Sequence, residues 1–238
     1  MTGPLVVTGT GGSGTRVFAR IAMHAGWHLG TRLNESEDNM RIADLENDPV
    51  GTRFLANGGP TEHQLAHYMS VVESERWPHE RWGWKHPQSM YFMRWLHAEF
   101  PHTIRVLHVV RDGRDMAYAR NVFEHWFGPL LLTDEERNAP LYVRKARLWQ
   151  ASNLRLTELC EERFPDRYLR VRLEDLCKCP ECEVRKVFRF LGAKHGKAGA
   201  VAEVEQPDTL GRWQNAPEPE QRAVEAACRN GLEAYGYV

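Results

Sequence analysis

The 238-residue chain has no apolar run approaching bilayer length, and its first apolar stretch, residues 4–8, already reads as a strand. A membrane helix needs about 20 apolar residues, so no span is expected, and a strand this early leaves no room for a signal peptide. The expectation is a soluble, cytoplasmic protein. Charge of one sign is missing as well: 31 basic and 32 acidic side chains leave a net charge of -1. Nucleic-acid binding through counterion release calls for a basic excess, so no nucleic-acid partner is expected and any basic site must be local. Cysteine is scarce and odd in number, five in all, which argues for reduced thiols rather than a disulfide framework. Three of them fall in Cys177-Lys178-Cys179-Pro180-Glu181-Cys182, read as a surface loop. Structural zinc takes four ligands, and with no second cysteine pair no metal is expected. His63 and His67 share a helix face, yet HQLAH lacks the glutamate that H-E-x-x-H uses as a base.

What is present is an alternation. With 42% hydrophobic residues the chain can bury a sizeable core, and one domain over residues 1–238 accounts for it. Strand patterns at 4–8, 81–85, 104–110 and 168–173 alternate with helical patterns at 88–100, about 139–164 and 184–191. Breaks at Asp48-Pro49 and Asn57-Gly58-Gly59-Pro60 divide the helical sequence after residue 39. Such alternation predicts an α/β fold, a central parallel sheet flanked by helices, with ligands outside the strand carboxyl ends.

Directly after the first strand stands Gly9-Thr10-Gly11-Gly12-Ser13-Gly14-Thr15-Arg16. Glycines let backbone close around a phosphate, and the unpaired N–H groups of the following helix attract it. A Walker A loop requires lysine where Thr15 stands, which disfavours an ATPase or kinase. A Rossmann reading has G-x-G-x-x-G in Gly9, Gly11 and Gly14, but its second strand would be residues 27–35, a poor strand with Glu35 as the ribose-binding acid. An NAD(P)-type oxidoreductase is therefore the alternative. A second basic cluster, Arg111-Asp112-Gly113-Arg114-Asp115, follows the clearest strand, IRVLHVV. Arg-Asp pairs of this kind also cap helices or form surface ion pairs worth little.

Together these segments resemble the 3'-phosphoadenylyl sulfate (PAPS)-dependent sulfotransferases. GGSGTR looks like their 5'-phosphosulfate loop and VVRDGRDMAYARN like their 3'-phosphate segment. RVRLEDL with Phe190-Leu191-Gly192, Leu210-Gly211-Arg212-Trp213 and the terminal Tyr235-Gly236-Tyr237 resemble further landmarks, in family order from residue 5 to 237. The resemblance implies a P-loop-like sulfotransferase architecture and sulfuryl transfer from PAPS to a hydroxyl or amine of a small-molecule or carbohydrate acceptor. It implies donor contacts from Gly11, Gly12, Ser13, Gly14, Thr15, Arg16, Arg111, Asn121, Arg212 and Trp213. Lys85 matches a lysine that many members place after their second strand, suited to stabilising charge on the transferring group. The base is left open: Asp38 is the first choice, by the likeness of LNESEDN to an L-N-x-x-x-D-N segment, with Glu35, Glu37 and His86 as alternatives. Three positions depart from the family. Gly12 replaces a cation, Ala119 replaces the serine that helps hold the 3'-phosphate, with Asn121 as its substitute, and Leu173 replaces an aromatic. These departures keep a non-catalytic nucleotide-binding protein of the same fold in view.

Overall fold

The computed structural model describes residues 3–47 and 49–238, so Asp48 of the expected Asp48-Pro49 break lies outside the described residues. Among the described residues, β1 (Leu5–Thr8), β2 (Gly83–Lys85), β3 (Arg105–Val110) and β4 (Tyr168–Arg172) form one sheet in the order β2-β1-β3-β4. Every neighbouring pair is parallel. Parallel strands need crossovers, and helices supply them. Between β1 and β2 lie α1 (Thr15–His24), α2 (Met40–Glu46), α3 (Val50–Ala56) and α4 (Glu62–Ser74). α5 (Ser89–Glu99) joins β2 to β3. From β3 the chain passes through α6 (Gly113–Ala117), α7 (Phe123–Leu131), α8 (Asp134–Arg137) and α9 (Leu141–Arg163) to β4. α10 (Leu173–Lys178), α11 (Pro180–Leu191), α12 (Lys197–Ala202) and α13 (Glu218–Ala234) follow.

Side chains of a strand alternate between faces, and the strands divide the core accordingly. Val6, Trp84 and Val106 face one cluster, packed by α2, α4, α5, α7 and α9. Leu5, Val7, Leu107, Val109 and Val171 face the other, packed by α1, α11 and α12. A strand buried on both faces reads as a continuous apolar run, which is why LVVT and RVLHVV were legible. Each large apolar side chain so buried contributes roughly 1.5–3 kcal/mol. A third cluster, with Val110, Trp149, Leu232 and Tyr235, brings α13 back against α6 and α9 and so returns the carboxyl terminus to the end of β3.

The structure trims several expected elements. Trp82 only bridges to His28, so β2 begins at Gly83. α11 starts at Pro180 rather than residue 184, because proline suits the first helical position. The expectation of reduced thiols in a surface loop is corrected: Cys179 and Cys182 form a disulfide at the α10–α11 junction. Cys179 is the N-cap of α11 and Cys182 lies on its first turn, which puts their Cα atoms 5.3 Å apart, within bridging range. Cys160, Cys177 and Cys228 remain thiols. Among the described residues no helix is long and apolar enough to cross a membrane.

Candidate active site

β1 lies between β2 and β3, so its carboxyl end feeds the glycine loop into the middle of the sheet's ligand side. The backbone there is crowded: a Cβ at Gly9 would stand 2.2 Å from the Val109 carbonyl oxygen. Gly14, the N-cap of α1, has φ 91°, and a Cβ on it would come within 2.8 Å of Leu173. The loop is strapped from outside by Asn121, whose Nδ2 donates to the Gly11 carbonyl at 2.7 Å while its Oδ1 accepts from Phe123 N. Within it, the hydroxyls of Thr10 and Ser13 are buried and meet no hydrogen-bond partner among the described residues. A buried hydroxyl without a partner costs about 1–3 kcal/mol. Two of them beside the amino end of a ten-residue helix suit an anion, and the site fits a phosphosulfate on that ground. Arg16 projects from the first turn of α1, exposed and close enough to Lys85 to act on its charge.

Lys85, at the carboxyl end of β2, is buried. Its Nζ donates to Asp38 Oδ1 at 2.6 Å and to the Ser36 carbonyl at 3.0 Å. Burial lowers its pKa, and the Asp38 charge opposes that shift. Asp38 arrives by a tight loop: Asn34 Oδ1 accepts from the N–H groups of Ser36 and Asp38, and Asn34 Nδ2 donates to Asp38 Oδ2 at 3.1 Å. The loop is pinned to the strand by Asn39 N donating to the Lys85 carbonyl at 2.9 Å, while the Asn39 side chain caps α2. Glu37 turns the other way, with φ 63°, and pairs with Arg20 at 3.1 Å.

His86, the next residue, is equally buried, and its Nδ1 lies 2.6 Å from Glu46 Oε2. Glu46 is fully buried on α2 and also accepts from Tyr68 Oη at 2.5 Å and Ser89 Oγ at 2.7 Å. Burial and the Glu46 charge push the Tyr68 phenol well above its ordinary value, so it stays a donor. A carboxylate so placed favours the tautomer with its proton on Nδ1, which leaves the Nε2 lone pair available.

At the end of β3, Arg111 is buried and committed to protein acceptors: Asp115 Oδ2 at 2.8 Å, Thr209 Oγ1 at 3.2 Å and the Thr209 carbonyl. Asp115 in turn accepts from Gly211 N and Trp213 N, which folds the G-R-W segment onto the turn. Arg114 lies over the Trp213 ring at 4.2 Å and pairs with Asp112. Arg212 keeps a buried, unpartnered Nε, and burial with Arg111 nearby lowers its pKa. Asp115 already balances Arg111, so the donor left for an anion is Arg212 Nε, which meets no partner among the described residues. Behind the turn, Glu174 accepts from Asp112 N at 2.8 Å and from Tyr237 Oη at 2.8 Å, so the E-D-L and G-Y landmarks meet there.

The structure thus brings Lys85, Asp38 and Arg16 together, sets His86 beside them in the chain, and places Arg111, Arg212 and Trp213 around the second basic turn. Glu37 faces Arg20, and Glu35 stands in a loop rather than at a strand end. Two residues escaped the sequence reading. Glu46 carries no motif, being one of two acids in the helix MRIADLE. Lys145, on α9, donates from Nζ to the Ala119 carbonyl at 2.6 Å and lines a small cavity with Thr10, Gly11 and Asn121. Its signal is a lone lysine 133 positions from Gly12, and only packing brings it to the loop.

A model of the sulfotransferase family matches residues 4–196. No protein of curated function matches the chain by sequence. Among solved structures, the sulfotransferase domain from the Synechococcus PCC 7002 olefin synthase superposes with a TM-score of 0.54 at 16% identity, covering 98% of this chain and 96% of that one. Sulfotransferase STF9 from Mycobacterium avium gives 0.58 at 13% identity over 98% and 76%. Retinol dehydratase, solved with androsterone and the inactive cofactor PAP, gives 0.51 at 12% identity over 96% and 80%.

Proposed function

We propose that this chain, which belongs to the sulfotransferase family, transfers a sulfuryl group from PAPS to the hydroxyl of a small-molecule or carbohydrate acceptor. The observation that carries the reading is the pair of buried, unpartnered hydroxyls of Thr10 and Ser13 at the amino end of α1. PAPS supplies an activated sulfuryl group on a phosphate leaving group. The loop N–H groups, Thr10, Ser13 and Thr15 hold the 5' end, with Arg16 adding charge from the first helical turn. Arg212 and Trp213 frame the 3'-phosphate, and Arg111 reaches it once Thr209 yields. Asn121 holds the loop in shape through Gly11, and Lys145 stands where it can offset the missing cation at Gly12.

Lys85 stabilises the charge that builds on the transferring oxygens, and Asp38 and the Ser36 carbonyl aim it. His86 takes the acceptor proton on Nε2 while the acceptor oxygen bonds to sulfur, the sulfur–oxygen bond to phosphate breaks, and its electron pair stays on the phosphate. The Nδ1 proton held by Glu46 orients the ring and steadies the imidazolium formed. His86 is preferred to Asp38 as base because both Asp38 oxygens are already engaged, by Lys85 and Asn34. The retinol dehydratase structure holds the small molecule androsterone, which supports that choice of partner. Calorimetry decides the donor: adenosine 3',5'-bisphosphate binds and NAD does not. Tighter binding of NAD overturns the reading.

A further inference from the structure

Away from the loop, α3, α5, α7 and α9 enclose a cavity of about 200 Å³ whose walls include Met90, Phe127, Leu131, Leu156 and Leu159. No residue of the glycine loop, and neither Lys85 nor His86, lines it. Aromatic rings separate it from the loop: the Tyr91 ring stacks on Phe127 at 4.3 Å and lies tilted 5.6 Å from Phe123, and Phe123 in turn backs Gly11. A cavity of about 150 Å³ with apolar walls admits benzene, so this one, walled by Met90, Phe127 and leucines on one side and by Arg94 and Arg155 at its mouth, has room for a group slightly larger than one aromatic ring. Pockets that bury drug-sized ligands start at roughly 300 Å³, so a ligand larger than such a group extends outside this one.

Arg94 and Arg155 stand where the cavity meets a second, open groove, since both line the two spaces. Both are exposed, and neither pairs with a carboxylate among the described residues. Arg94 is steadied over the Trp95 ring at 5.3 Å. Glu158 and Glu162 share the groove, but Glu162 pairs with Arg163 at 3.3 Å. The Tyr91–Ser152 hydroxyl pair, which also lines the cavity, is satisfied at 2.7 Å.

We infer that this cavity is a binding site, distinct from the donor loop, for an aryl or short alkyl carboxylate, the apolar group inside and the anion on Arg94 and Arg155. The ligand's carboxylate pairs with two guanidiniums that make no ion pair among the described residues, although Glu158 lines the same groove, and charge-assisted hydrogen bonds are about twice as strong as neutral ones.

The test uses 4-phenylbutyrate and its neutral analogue 4-phenylbutanol, titrated into the full chain by calorimetry and followed by methionine-methyl NMR. The carboxylate is expected to bind about tenfold more tightly than the alcohol, from its charge-assisted bonds, and to shift the Met90 methyl. In the Arg94→Gln/Arg155→Gln variant, whose changes are on the surface, the two ligands should bind alike. Circular dichroism confirms that the variant is folded. Equal affinities in the unaltered protein overturn the inference, as does absence of binding at millimolar ligand or an unchanged preference in the variant. A shift of Met116, which lies beside Gly12, in place of Met90 also overturns it, because the ligand would then occupy the donor loop.

Discussion

Lys85 and His86 are adjacent in sequence, and their roles separate because different carboxylates hold them. Asp38 faces Lys85, and Glu46 faces His86. Lys85 must be protonated to stabilise negative charge, and burial already lowers its pKa while Asp38 raises it. Activity therefore falls as pH rises through that lowered value. Asp38→Asn removes the supporting charge, so the alkaline fall should move to lower pH while the acid side of the rate profile is retained. A base lost at Asp38 would instead erase the acid-side fall, and that result would return the base to Asp38. His86→Ala is expected to lower kcat by roughly 10² to 10⁴-fold, the range for a general base, with little change in affinity for adenosine 3',5'-bisphosphate. Full turnover in His86→Ala would remove it from the chemistry.

β1, its glycine loop and α1 form the element on which the donor reading rests, and the order of residues encodes that element locally. A buried strand, a run of glycines and an amphipathic helix each announce themselves within a few positions. Gly14 shows how strictly: its left-handed φ and the nearby Leu173 leave no room for a side chain. A non-glycine residue in that conformation costs roughly 1–2 kcal/mol before any clash. Gly14→Ala should lose at least that much stability in urea unfolding and bind the bisphosphate more weakly; an unchanged midpoint would mean that the loop leaves the left-handed conformation without cost, against this reading. The same element explains what was not legible. Glu46 reaches His86 across 40 positions and Lys145 reaches Ala119 across 26, and no local pattern marks either. Arg111 was recognised at its strand end, but its engagement with Thr209, 98 positions away, depends on the carboxyl-terminal return. The cysteine pair was missed because composition describes the chain as a whole, whereas bridging depends on one helix start.

At the scale of the whole molecule, the sheet and the carboxyl-terminal helix are coupled through a buried polar chain. His108, fully buried on β3, meets Asn153 Oδ1 of α9 with Nε2 and Tyr168 Oη of β4 with Nδ1, both at 2.8 Å. Tyr168 Oη meets Thr157, whose hydroxyl meets Tyr235 Oη at 3.0 Å. Burial pushes the His108 imidazole down to about 4, against the supporting bond to Asn153 and with Arg170 adding to the shift. The folded-state pKa lies below that of an unfolded histidine, near 6.5, so between the two values the unfolded chain binds the extra proton. This contribution to stability is complete above about pH 6.5 and is lost as pH falls toward 4, by linkage. A gap of about 2.5 units corresponds to about 3 kcal/mol, a large share of a typical total of 5–15 kcal/mol. Urea unfolding from pH 7 to pH 4 should therefore show a decline that His108→Gln flattens. Glutamine keeps a donor and an acceptor near Asn153 and Tyr168 but does not titrate, so its stability at pH 7 is lower and its slope smaller. An equal slope in both proteins would assign the acid loss to other groups and leave His108 as packing alone.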